Sequence, residues 1–259
     1  MKTVILCGGF GTRIRDVAEN IPKPMIPIGG YPILWHIMKY YAASGYGEFI
    51  LCLGYKGDVI RDFFINYRLH TADCTIDLTG NNPVKYHDGN IDPWRVTLAE
   101  TGLKSMTGAR VARIQKYVDP DDHFMLTYGD GVGDVNLRDL VRYHEAHGKI
   151  LTVTGVRPPG RFGEISCGPD GVVREFNEKP QAAGGWISGG FFMCSNGIFS
   201  YLDPREDLVF EQEPLRALVA DGEMMMFQHD GFWMPMDTSR EYLLLNSLYA
   251  KGKAPWVTW

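Results

Sequence analysis

The chain has 259 residues, 45% of them hydrophobic and 22% charged, a balance that excludes disorder as its main state. That length lies near the size at which one core stops growing, so a single domain over 1–259 is expected, with an amino half and a carboxyl half. A formal net charge of −5 gives no field that would draw the chain to nucleic acid or an anionic membrane, so any anionic substrate must be caught by local groups.

Taken in chain order, the elements alternate. A short apolar β-branched run predicts a strand over 3–6, helical spacing of Ile33, Ile37, Tyr40 and Tyr41 predicts a helix over 33–43, and a second apolar run predicts a strand over 49–53. A helix over 58–64, a strand over 124–128, a helix over 137–147 and a strand over 150–156 continue the pattern, with Asn136 and Asp139 as an N-cap signal. The expected fold class is α/β: a Rossmann-like mixed, mainly parallel sheet flanked by helices. Beyond Val156 shorter strands, 164–167 and 172–176, flank a Gly168-Pro169-Asp170-Gly171 turn and point to a smaller mixed carboxyl-terminal part. The irregular stretch 67–110 is too long for a simple connection and reads as an inserted arm.

No charged segment followed by an apolar run opens the sequence, and no stretch reaches the roughly 18–20 apolar residues that cross a bilayer. The five cysteines, Cys7, Cys52, Cys74, Cys167 and Cys194, form no CxxC pair, which suits buried thiols in a reducing cytoplasm.

The sharpest chemical signal is Leu6-Cys7-Gly8-Gly9-Phe10-Gly11-Thr12-Arg13, directly after the first strand. Glycines there let backbone N–H groups approach phosphate oxygens, and Arg13 adds a planar fork of donors. The spacing is neither that of a P-loop nor of the dinucleotide fingerprint. Downstream, Pro22-Lys23-Pro24 is expected to hold its backbone extended and present the ammonium at small entropic cost. Together the two segments indicate a triphosphate. Asp130, between glycines at the end of an apolar strand, suits a Mg²⁺ that keeps waters and phosphate oxygens, although an Asp-Gly turn is the common alternative.

The pattern Gly8-Gly9-x-Gly11-Thr12-Arg13 followed by Pro22-Lys23-Pro24-Met25 resembles that of the sugar nucleotidyltransferases. The runs Pro158-Pro159-Gly160-Arg161-Phe162-Gly163 and Lys251-Gly252-Lys253-Ala254-Pro255-Trp256 are similar to the cytidylyl branch of that family. The resemblance implies CTP and glucose 1-phosphate as substrates, with CDP-glucose and pyrophosphate released. It implies Arg13, Lys23 and Asp130 as the catalytic set, and Asp130 with Asp237 as the Mg²⁺ ligands. Residues 6–13, Lys23 and Gly129 would meet the nucleotide. Lys179 would reach the sugar phosphate, Glu178 the sugar hydroxyls, and Gly163 and Gly190 would be close-approach positions for the sugar. A homohexamer is implied as well, with the 67–110 arm and its Tyr86, Trp94 and Val96 as a candidate contact. Alternatives left open are a uridylyl- or thymidylyltransferase on the same scaffold and a silent nucleotide-sugar sensor.

For the choice of base, 101–110 carries the right ingredients: glycines that free carbonyls, the Ser105 hydroxyl and the Arg110 guanidinium. Composition alone favours a turn with a solvated arginine, and resemblance favours contact with the nucleotide. His144 and His147, at i and i+3, read as a helix surface and not as a metal pair. Packing is also the simpler reading of Met224-Met225-Met226, Tyr128 and Trp233.

Overall fold

The computed structural model describes residues 1–9, 21–80, 83–87, 92–118, 123–157 and 185–259, and the backbone of 164–167 and 173–177. Seven strands make the central sheet: β1 Lys2–Leu6, β2 Glu48–Leu53, β3 Arg95–Glu100, β4 His123–Tyr128, β5 Leu151–Val156, β6 Ile187–Ser195 and β7 Met224–His229. Their spatial order is β7-β5-β6-β4-β1-β2-β3. Only β6 runs antiparallel to its neighbours, and every other pair is parallel. The expected mainly parallel mixed sheet is therefore what forms.

Side chains along these strands alternate between two cores. Ile5, Leu51, Met125 and Met193 face one, and Val4, Ile50, Leu126 and Phe192 the other. Helices α1 Ile33–Ala43 and α2 Gly57–Ile65 come first in the chain, then α3 Thr107–Arg113, α4 Leu137–His147, α5 Glu213–Ala220 and α6 Ser239–Ala250. Met38 of α1, Leu140 of α4 and Leu245 of α6 cover the first face, while Val111 of α3 and Leu218 of α5 cover the second. Burial on both faces is why the inner strands β1, β2, β4 and β5 read as nearly unbroken apolar runs. At the start of α4 the Asn136 side chain accepts the Asp139 N–H, as the sequence signal required.

Four expectations change. The stretch 67–110 is not one insertion, because β3 is the edge strand of the central sheet, parallel to β2. Trp94 packs edge-on to Phe49 at 5.8 Å, and Val96 lies against the same core, so both pack onto the body of this chain. Within the stretch, the hairpin of Cys74–Ile76 with Val84–Tyr86 exposes Ile76, Leu78 and Val84. Lys23 is not in extended chain: Lys23–Met25 is a single 3-10 turn, closed by Ile26 N–H to the Lys23 carbonyl. Pro24 fits there because the second position of such a turn needs no donor.

His144 is not on a surface. It is fully buried, bonded through its two nitrogens to the Thr152 and Ser195 hydroxyls at 2.8 and 3.0 Å. The methionine run opens β7 and is only partly buried, with Met226 exposed, because that strand forms the other sheet edge.

Candidate active site

The chain passes from β1 to β2 on one side, while β4 enters beside β1 on the other, so the strand order reverses at β1. In open α/β sheets the crevice at the carboxyl ends of such strands is where ligands bind. A cavity of about 400 Å³ opens there. Leu6 to Gly9 at the end of β1, Tyr128 to Asp130 at the end of β4, Lys104 to Thr107 and Arg110 beyond β3, Lys23, Pro24 and Asp237 line it.

Gly129 brings β4 close to β1: its N–H donates to the Leu6 carbonyl at 3.0 Å, and a Cβ would lie 3.0 Å from that oxygen. Beyond it, Gly131–Gly133 pairs antiparallel with Trp233–Pro235, and Met236 N–H donates to the Asp130 carbonyl at 2.8 Å. That ribbon carries Asp237 to Asp130 from the far end of the chain. Asp237 N–H is held by Glu241 at 2.8 Å, part of the Thr238–Glu241 capping box that starts α6.

Lys23 Nζ sits between the two carboxylates, 2.6 Å from Asp130 Oδ2 and 2.5 Å from Asp237 Oδ1. Burial works against its charge, but the two aspartates outweigh burial and raise its pKa above the ordinary lysine value. The ammonium is therefore firmly positive at neutral pH. Two carboxylates gathered on one cation, all-oxygen and partly exposed, are also a donor set for a hard divalent metal.

Arg110 lines the cavity from beyond β3. It is 4% exposed, and it donates from Nη1 to the Leu53 carbonyl at 2.9 Å and Thr101 Oγ1 at 2.8 Å, and from Nη2 to the Gly8 carbonyl at 3.0 Å. Burial lowers its pKa without threatening its charge. A Cβ on Gly8 would lie 2.2 Å from its Nη1, so glycine there makes room for the guanidinium. The solvated arginine in a turn that composition favoured is thus replaced by a buried one in α3. Ser105 is buried too, accepting from Arg113 Nη1 at 2.7 Å. Burial raises the Cys7 thiol well above its ordinary pKa, so it lines the cavity as a neutral, unreactive group.

Of the residues singled out by sequence, Leu6, Cys7, Gly8, Gly9, Lys23, Ser105, Arg110, Gly129, Asp130 and Asp237 meet at this one cavity. Gly190 stands behind its wall, with φ +75° and with its Cα facing the Tyr128 ring, where a Cβ would come within 2.4 Å. Phe10, Gly11, Thr12, Arg13, Gly163, Glu178 and Lys179 lie outside the described residues, as does the Gly168–Gly171 turn. Lys104, Met106, Thr107, Pro24 and Tyr128 are lining residues that sequence reasoning missed or set aside as packing. The first three fall in the flagged 101–110 segment, and Tyr128 adjoins Gly129-Asp130, so position was their only signal. Trp233 donates its indole N–H to the Gly189 carbonyl at 2.7 Å, which ties it to the backbone of β6.

The model of the nucleotidyl transferase family matches residues 2–252. The chain is 48% identical to glucose-1-phosphate cytidylyltransferase of Salmonella typhi over 259 residues, the whole of both chains. It is 27% identical to mannose-1-phosphate guanyltransferase of Schizosaccharomyces pombe, over 96% of this chain and 64% of that one. In fold it is similar to HddC from Yersinia pseudotuberculosis, with a TM-score of 0.68 at 24% identity, covering 96% of this chain and 99% of that one.

Proposed function

The chain belongs to the nucleotidyl transferase family, and from that membership we infer that it is a glucose-1-phosphate cytidylyltransferase, converting CTP and glucose 1-phosphate to CDP-glucose and pyrophosphate. The observation that carries this reading is 48% identity with such an enzyme across the full length of both chains.

A phosphate oxygen of the sugar phosphate attacks the α-phosphorus of CTP, and the bond from that phosphorus to the bridging oxygen of pyrophosphate breaks. The second pKa of a phosphate monoester is about 6, so the nucleophile is already largely ionised at pH 7 and needs no general base. Attack is opposed by repulsion between two anions and by misalignment, which fixed cations remove. Lys23 serves the triphosphate, with Arg13 joining it from the glycine loop. Lys179 serves the sugar phosphate, Glu178 the sugar hydroxyls, and Gly163 and Gly190 leave room for the ring. Leu6 to Gly9, Ser105, Arg110 and Gly129 surround the nucleoside.

Enzymes of this family generally use a divalent metal, which we assign as Mg²⁺. Asp130 and Asp237 would hold it, and when bound it supplies Lewis-acid neutralisation of phosphate charge. The hairpin's exposed Ile76, Leu78 and Val84 support assembly of identical chains, a hexamer by resemblance. Cys7, Cys52 and Cys194, buried as free thiols, support a reducing cytoplasmic setting.

The test is a pyrophosphate-release assay with four nucleoside triphosphates crossed with several hexose 1-phosphates. Turnover should be highest for CTP with glucose 1-phosphate, and a clear preference for UTP or dTTP would move the chain to a sister activity. Sedimentation as a 29.2 kDa monomer at micromolar concentration would remove the assembly.

A further inference from the structure

Glu211 is exposed and is not among the residues lining the cavity; it stands on the segment that leads into α5. Its carboxylate is nevertheless shared between the cavity's two walls. Oε1 accepts the Tyr128 hydroxyl at the end of β4, and Oε2 accepts the Thr107 hydroxyl at 2.7 Å. Thr107 Oγ1 also accepts the Phe210 N–H at 2.9 Å, so its own proton is directed to the carboxylate. The same segment holds the rest of the loop by its backbone, since Glu206 O accepts from Met106 N–H at 2.7 Å and Leu208 O from Gly108 N–H at 2.9 Å. Burial, reinforced by the Glu211 charge, raises the Tyr128 phenol far above its ordinary pKa, and the phenol remains a donor.

Tyr128 has a second neighbour. Its ring lines the nucleotide cavity and also packs against Gly190, the position assigned to the sugar. A movement of this ring is felt on both sides.

We propose that Glu211 is a positioning residue which locks Thr107 and Tyr128 together, so that filling the nucleotide cavity tightens the site for the sugar phosphate. The inference rests on the cytidylyl-transfer reading for the identity of the two ligands. Bound nucleotide confines the Thr107 loop, Glu211 passes that restraint to the Tyr128 ring, and the ring sets the wall at Gly190. Glu211 itself touches neither ligand.

The experiment titrates glucose 1-phosphate calorimetrically, with and without α,β-methylene-CTP, which cannot break the bond that the reaction breaks. Wild type, Glu211→Ala, Glu211→Gln and Tyr128→Phe are compared. In wild type the analogue should tighten glucose 1-phosphate by about five- to tenfold, the span of one or two good hydrogen bonds. Glu211→Ala and Tyr128→Phe should each abolish most of that factor. The double variant should lose no more than either single one, because both remove the same link. Glu211→Gln, which keeps one carbonyl acceptor, should recover part of it. Tyr128→Phe keeps the ring and the packing, so it reports even if Glu211→Ala folds poorly. Wild-type coupling retained in Tyr128→Phe, or losses that add in the double variant, would overturn the proposal. Pyrophosphate release by wild type from CTP and glucose 1-phosphate is scored separately. If it fails, the functional reading falls first; if it succeeds while coupling is absent, only the role of Glu211 falls.

Discussion

Lys23 and Asp237, 214 residues apart in the chain, meet at 2.5 Å, and Asp130 completes the group from the other side of the ammonium. The lysine thus screens from each other two carboxylates that would otherwise repel, at the point where triphosphate and metal are proposed to bind.

Replacing Lys23 with Met should therefore cost stability as well as activity. Breaking charge-assisted bonds at a partly exposed site costs about 1–3 kcal/mol, and solvent screening places the value in the lower part of that range. Because the lysine pKa is raised, this contribution is complete below the ordinary value of 10.5 and is lost only as pH climbs beyond it, so melts at pH 7 to 9 see it in full. Added Mg²⁺ should recover more of the melting temperature in Lys23→Met than it adds to wild type. The activity, kcat/KM, should fall roughly 100-fold or more. Equal Mg²⁺ effects on the two melting temperatures would argue against Asp130 and Asp237 as the metal's ligands.

A second expectation separates the two lysines. Lys179→Ala should raise the KM for glucose 1-phosphate by about 10- to 100-fold, the worth of a charged hydrogen bond, and leave the KM for CTP near wild type. Steady-state kinetics with each substrate varied in turn would show it. A rise confined to CTP would exchange the roles of Lys23 and Lys179.

Stability should also fall in mild acid. Buried His36 meets the Ile28 carbonyl through Nε2 at 2.8 Å, and its Nδ1 accepts the Trp256 indole N–H at 3.4 Å. A second proton would have to enter at Nδ1, against that donor. Burial, opposed weakly by the Ile28 carbonyl, lowers the pKa from 6.5 to about 4. Between those values the unfolded chain binds more protons than the folded one, so stability is complete above pH 6.5, declines on acidification and levels off below about pH 4. The full loss is on the order of 3 kcal/mol. His36→Gln can keep both bonds without titrating, so its urea midpoint should fall less between pH 7 and 4.5. Part of the slope will persist, because burial lowers His144 to about 4 as well. Parallel slopes for wild type and variant would contradict this account.

What the sequence shows depends on whether the cause is local. The helix Ile33–Ala43 was legible because its apolar period is carried within one element, and Asp130 because glycines flank it on a strand end. β3 was not, since a strand at the sheet edge, Arg-Val-Thr-Leu-Ala-Glu, is half exposed and charged at both ends, and it reads as loop. The turn at Lys23 was misread because prolines constrain the chain without choosing between extended backbone and a 3-10 turn. The Tyr128–Glu211 contact spans 83 residues and leaves no local signature. His144 was assigned to a surface because polar partners at Thr152 and Ser195, which make its burial tolerable, are supplied by other strands.

The choice of base gives the last prediction. Cytosine presents two acceptors side by side, the ring nitrogen N3 and the carbonyl O2, where uracil has a donor at N3. Arg110 has only donors, three of its five N–H groups are committed to Leu53, Thr101 and Gly8, and the residue borders the cavity. A guanidinium turned to the base edge would therefore accept cytosine and leave the N3–H of uracil facing another donor, a mismatch that discriminates strongly in a water-poor site. Arg110→Lys keeps the charge but removes the planar fork, so the ratio of kcat/KM for CTP over UTP should fall by about 10- to 100-fold, the worth of a charged hydrogen bond. Arg110→Ala should lower it as far and also destabilise the fold, because the guanidinium's bonds to Leu53, Thr101 and Gly8 are lost together. Ser105→Ala should change the ratio little, since that hydroxyl already serves Arg113. If Arg110→Lys kept the wild-type ratio, the base would be read by the backbone of Leu6 to Gly9, and Arg110 would be a structural clamp between β1 and β2.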